Sequence, residues 1–115
     1  MTLNSNLVGI STNITLSNKV AQAKLTRIGN LVIFESPQDA SRISANYEDI
    51  GTIPVGYRPS TPYVNIPIGN IADTNRRYIR ITSAGIVQQY SSTASASAIN
   101  DSAIGVWVTL DTIPD

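Results

Sequence analysis

Ala21-Gln22-Ala23-Lys24-Leu25-Thr26, then Gly29-Asn30, then Leu31-Val32-Ile33-Phe34, is the stretch that decides the fold. Ala21, Ala23 and Leu25 alternate with Gln22, Lys24 and Thr26, the period-two pattern of a strand with one buried face. Gly-Asn is a two-residue connection of the kind hairpins favour. The return segment is apolar at every position, which predicts a strand central in its sheet or facing a partner subunit.

The pattern extends in both directions. Upstream, Leu7, Val8 and Ile10 close a polar stretch, so residues 1–12 read as an N-terminal arm or first edge strand and 13–115 as one domain. Downstream, Ser36-Pro37-Gln38-Asp39 has two readings. One is a helix start with Ala40, Ile43 and Tyr47 on a shared face; the other, favoured in so β-rich a chain, is a loop or strand edge. Ile50 to Pro59 holds two prolines and two glycines and is predicted to be an ordered connection. Glu48-Asp49, the adjacent acid pair, reads as solvated beside a turn.

Tyr63 to Ile68 reads as a strand with Val64, Ile66 and Ile68 on one side. Pro67 cannot donate to a ladder, so the strand is expected to lie at an edge or to end there. Asp73 to Arg76 is a predicted turn. Arg77 to Thr82 follows as a strand, inner face Ile79 and Ile81, outer face Tyr78, Arg80 and Thr82. Ser83-Ala84-Gly85 reverses the chain into Ile86 to Tyr90, and a Ser/Ala-rich stretch covers 91–98. In the last strand Ile104, Val106, Val108 and Leu110 alternate with the less apolar set Gly105, Trp107 and Thr109. The expected fold is all-β, a small antiparallel barrel or sandwich of seven or eight strands.

Composition agrees. Sixteen isoleucines and eight valines stand against six leucines, with 13 serines, 11 threonines and 10 asparagines to serve turns and a neutral exterior. At 115 residues the chain is one domain's worth. It has no cysteine and no histidine, which removes disulfides, thiolate nucleophiles, Ser-His-Asp triads and ordinary zinc sites. Neither cofactor nor metal is expected. Eight basic and eight acidic residues cancel, so no basic face for nucleic acid is expected. No run is long and apolar enough to insert in a membrane.

The candidate site residues are polar or aromatic positions on strand faces. Arg76, Arg77 and Arg80 fall within five residues, either a phosphate-binding patch or a solvated outer face. Tyr78 and Trp107 stand on the less apolar faces of their strands, where a ring stacks on a sugar or packs at a subunit interface. Gln88, Gln89 and Tyr90 share that ambiguity. Asp101 either accepts from a sugar hydroxyl or keeps its loop soluble. No motif proposes the facing carboxylate pair of a glycosidase, and no catalytic residue is assigned.

Ile53-Pro54-Val55-Gly56-Tyr57-Arg58-Pro59, then Tyr78-Ile79-Arg80-Ile81-Thr82-Ser83-Ala84-Gly85-Ile86-Val87, then Trp107-Val108-Thr109-Leu110, resembles the C-terminal head of phage receptor-binding and tail-fibre proteins. The likeness is to phages of Gram-positive hosts, lactococcal baseplate receptor-binding proteins in particular, and runs from Leu16 to the C-terminus. It implies a β-barrel head that assembles as a homotrimer at the tail tip, contacts other baseplate or tail proteins, and binds host cell-wall polysaccharide without catalysis. In such heads a His and an Asp alternate on the strand before the Ser-Gly turn, and a Trp lies on the return strand. Those places look like Tyr78, Arg80 and Gln89 here. All three types differ, which points to a different glycan or a shifted site, and Arg in place of Asp favours an anionic, phosphate-bearing glycan. The expected saccharide-binding residues are therefore Tyr78, Arg80, Gln89 and Trp107, with Arg77 and Asp101 beside them. The alternative is a structural virion module that binds only protein.

Overall fold

The computed structural model describes residues 9–18, 21–41, 46–68, 77–91 and 99–114. Eight strands are described: β1 (Ile10–Ile14), β2 (Ala23–Ile28), β3 (Leu31–Ser41), β4 (Asn46–Thr52), β5 (Tyr63–Pro67), β6 (Arg77–Thr82), β7 (Ile86–Ser91) and β8 (Ile99–Val108). They form two four-stranded antiparallel sheets, ordered β1-β2-β3-β8 and β4-β7-β6-β5. The all-β expectation holds, as a sandwich. The first eight residues, the expected turn at 73–76 with Arg76, and most of the Ser/Ala-rich stretch lie outside the described residues.

The β2–β3 hairpin forms around Gly29-Asn30 as its sequence requires, with Gly29 at φ 60°. β3 is interior to its sheet, between β2 and β8. Ser36 to Asp39 starts no helix; it continues β3, with a register shift against β8 between Ser36 and Asp39. Pairing with β2 ends at Glu35, so Pro37 sits where β3 has lost one neighbour and a missing N–H does least harm. β5 is an edge strand and also ends at Pro67, so both expectations for that proline hold. β4 has no clear strand pattern: Asn46, Glu48, Asp49 and Gly51 are poor β formers, and its ladder slips between Asp49 and Gly51. Tertiary pairing with β7 overrides that preference. Glu48 and Asp49 are therefore strand residues, not the turn acids expected.

β8 reverses the expected faces. Ala103, Gly105, Trp107 and Thr109 point inward, while Ile104, Val106, Val108 and Leu110 are exposed. The cause is the fit to β3. Trp107 pairs with Val32 and Gly105 with Phe34, so each large ring has a smaller neighbour. Phe34 and Trp107 pack with their rings tilted by 31° and their centroids 6.2 Å apart. Gly105 leaves a notch that the opposite sheet fills, since a Cβ there would lie 2.3 Å from Ile66 Cδ1. Between the sheets lie Leu16, Leu25, Val32, Phe34, Ile50, Ile53, Ile66, Ile79, Ile81 and Val87.

The Ile53-to-Pro59 phrase is the structural lock between the sheets. Gly56 takes φ 108°, and Pro114 fills the space a side chain would need. Arg27 Nη1 donates to the Gly56 carbonyl at 2.6 Å, and Trp107 Nε1 to that of Tyr57 at 2.7 Å. Asp111 accepts from the Gly56 and Arg58 backbone N–H groups, and from Arg58 Nε and Nη2 at 3.0 Å each. The hydrogen-bonded guanidinium, and then those two backbone donors, hold the Asp111 carboxyl down at about 2 against the opposing effect of burial.

That depression has a sign. The folded value lies below the unfolded one, so the stabilisation is fully present above about pH 4 and is lost as pH falls toward 2. Asp111→Asn should lower the melting temperature at neutral pH, and the difference from the parent should close across that window. A difference independent of pH in thermal melts would contradict this.

Candidate functional site

The outer face of the β4-β7-β6-β5 sheet carries two cross-strand rows. Tyr47, Tyr90, Tyr78 and Pro67 are in register from strand to strand, and so are Asp49, Gln88, Arg80 and Asn65. Tyr63 begins the next row, opposite Thr82. Alternation along each strand puts these side chains opposite the core set Ile50, Val87, Ile79, Ile81 and Ile66. Aromatic residues suit such positions, because neighbouring rings stabilise one another across strands.

The first row is a continuous aromatic surface. Tyr78 and Tyr90 stack at 4.8 Å, Tyr90 meets Tyr47 at 5.2 Å, and Tyr47 meets Tyr78 edge-on at 6.1 Å. The Tyr47 and Tyr78 hydroxyls share a hydrogen bond at 2.5 Å. In the second row Gln88 Nε2 donates to Asp49 Oδ1 and Arg80 Nε to Asn65 Oδ1, each at 3.0 Å. The Arg80 guanidinium lies 4.2 Å from the centre of the Tyr63 ring and 4.9 Å from that of Tyr47. Rings and Asn65 therefore hold the cation in place at the centre of the face. Its terminal amino groups take no partner among the described residues, which leaves a planar double donor for a ligand oxygen.

Four strands at the usual spacing make each row roughly 14 Å long, enough for a short oligosaccharide. Flat rings beside a line of amide, carboxylate and guanidinium groups suit sugars, whose C–H faces stack while their hydroxyls need partners.

Of the six expected site residues, the structure brings two, Tyr78 and Arg80, together here. Gln89 faces the other way: it is 1 % exposed, between the sheets, and accepts from Asn18 Nδ2. Arg77 also points inward, 6 % exposed on the face of Ile79, so the arginine cluster splits across the sheet. Trp107 is 5 % exposed in the core of the other sheet, bonded to Tyr57 and packed on Phe34. Its ring is therefore enclosed between the sheets and not presented on a strand face. Asp101 lies in β8 opposite Asp39 of β3, in the sheet that does not carry this face.

The site residues not anticipated are Tyr47, Tyr63, Asn65 and Asp49. Tyr63 and Asn65 had a signal, since they alternate with Val64 and Ile66. Tyr47 and Asp49 had none, because β4 is not legible as a strand. No family model and no curated protein matches this chain.

Proposed function

We propose that this chain is a phage receptor-binding head, carried in several copies at the tail tip. It recognises an anionic bacterial surface saccharide on the tyrosine face and does not alter it. The observation that carries this reading is the aromatic row beside a polar row with Arg80 at its centre. The resemblance of the Ile53-to-Pro59 and Tyr78-to-Val87 segments supports the phage context and a homotrimer. Single sites of this shallow kind bind weakly, and several heads on one cell multiply their affinity. A second reading, a structural virion module that binds only protein, is favoured by one observation, the exposed apolar side chains of β8.

The test is a pull-down of the purified protein on intact cells and extracted wall polysaccharide from a Gram-positive panel, with Arg80→Ala and Tyr78→Ala alongside. Strain-selective binding is expected, weakened about tenfold or more by either change, equivalent to about 1.4 kcal/mol. Added salt should weaken the parent more than Arg80→Ala. Binding unaffected by both changes would remove the site from this face. No binding to a panel that includes the host would favour the structural module.

A further inference from the structure

The outer face of the other sheet is apolar where a free surface is ordinarily polar. Ile28, Leu31 and Val108 stand side by side across β2, β3 and β8, and Ile33 and Val106 form the next row. Ile104 lies one row further, and Leu110 follows the end of β8; these two are 72 % and 79 % exposed. Among the described side chains of this face, charge enters at the margin, where Lys24 and Glu35 face each other across β2 and β3. The exposed part of this patch amounts to roughly 600 Å², the top of the range for the largest apolar patch on a monomer.

β8 is also the last strand of its sheet. The Val108 carbonyl turns away from β3 to accept the Ser60 N–H at 2.9 Å. In an antiparallel ladder alternate residues point the same way, so Val106 and Ile104 direct their backbone groups to that edge too. Natural edge strands are protected by charge or proline, and Ile104 to Leu110 has neither.

We propose that the outer face of β2, β3 and β8 is the surface through which copies of this chain associate with one another. The occupant is a second copy for three reasons. The patch supplies most of the ~800 Å² per partner that a standard interface buries. It is uncharged at its centre, so apolar side chains meet apolar side chains in any pairing of like faces. The chain has zero net charge, so copies do not repel. A membrane surface would instead call for a basic rim, and the described margin offers one lysine beside one glutamate. The number of copies rests on the trimer in the functional reading above; the face does not. Association here leaves the tyrosine face, on the opposite sheet, turned outward.

The test is sedimentation equilibrium of the full chain, from low micromolar to near-millimolar concentration, with an Ile104→Lys/Val106→Lys variant and with Tyr78→Ala. The parent should sediment at a multiple of the chain mass. The double-lysine variant should fall to one chain mass with an unchanged far-UV circular dichroism spectrum, and Tyr78→Ala should keep the parent's mass. If the double variant fails to fold, Leu110→Lys asks the same question at the most exposed position. A folded parent at one chain mass throughout, or lysine variants that keep the oligomer, would overturn the proposal. Saccharide binding is read separately: a monomeric variant that still binds extracted polysaccharide supports this face, whatever becomes of the receptor reading.

Discussion

Trp107→Ala is expected to lower the free energy of unfolding by about 4 kcal/mol, within the range for large aromatic truncations in a core. The indole is 5 % exposed, packs on Phe34, and donates to the Tyr57 carbonyl at 2.7 Å. Its removal opens a cavity between the sheets and strands a buried acceptor in the connection that joins them. Trp107→Phe separates the two losses. It keeps much of the packing, so it should cost only about 1–2 kcal/mol, the penalty for an unpaired buried group. Denaturant titration followed by far-UV circular dichroism measures both, since the variants lack the single tryptophan as a fluorophore. A Trp107→Ala protein of parental stability that has lost saccharide binding would mean that the residue acts at a ligand surface instead.

Arg27→Ala should cost about 3 kcal/mol, at the upper end of what hydrogen bonds to a charged group contribute. Arg27 is buried, and one guanidinium serves three acceptors. Nε donates to the Gly29 carbonyl at 2.8 Å, Nη1 to that of Gly56 at 2.6 Å, and Nη2 to Asn30 Oδ1 at 3.3 Å. It thus ties the β2–β3 turn to the lock between the sheets, and truncation leaves acceptors of both without a donor. Arg27→Lys should recover less than half of the loss, because a single ammonium cannot span the three positions a planar fork reaches. The midpoint of unfolding in urea, with its slope unchanged, is the measurement. A cost below about 0.5 kcal/mol, typical of a surface substitution, would contradict the assignment.

Arg27 also shows where sequence reading ran out. It follows Ala23 and Leu25 on the buried face of β2, so alternation places it inward. What it does there depends on Gly56, 29 residues away in sequence, and nothing local announces that partner. Gln89 is a plainer case. It shares a face with Val87, so the period of two already turned it toward the core, against its appeal as a ligand contact. Tyr78 and Arg80 were readable because Ile79 and Ile81 settle which side of β6 is buried. Tyr47 was not, because β4 lacks the alternation and the β-branched residues that would mark it, and acquires its strand form only by pairing with β7.

By itself the sequence determined the all-β class, the β2–β3 hairpin, the edge position of β5 and the outward direction of Tyr78 and Arg80. Each follows from a local rule: alternation, turn chemistry or a missing proline donor. Only the tertiary structure decided which face of β8 is buried. Local hydrophobicity favours Ile104, Val106, Val108 and Leu110, but the space beside Val32 and Phe34 accepts Trp107 and Gly105, and shape outweighs the count of methyl groups. It also decided that four of the five tyrosines share one surface, because strand order sets β4, β7, β6 and β5 side by side. Both are properties of long-range pairing, which has no signature in any single segment.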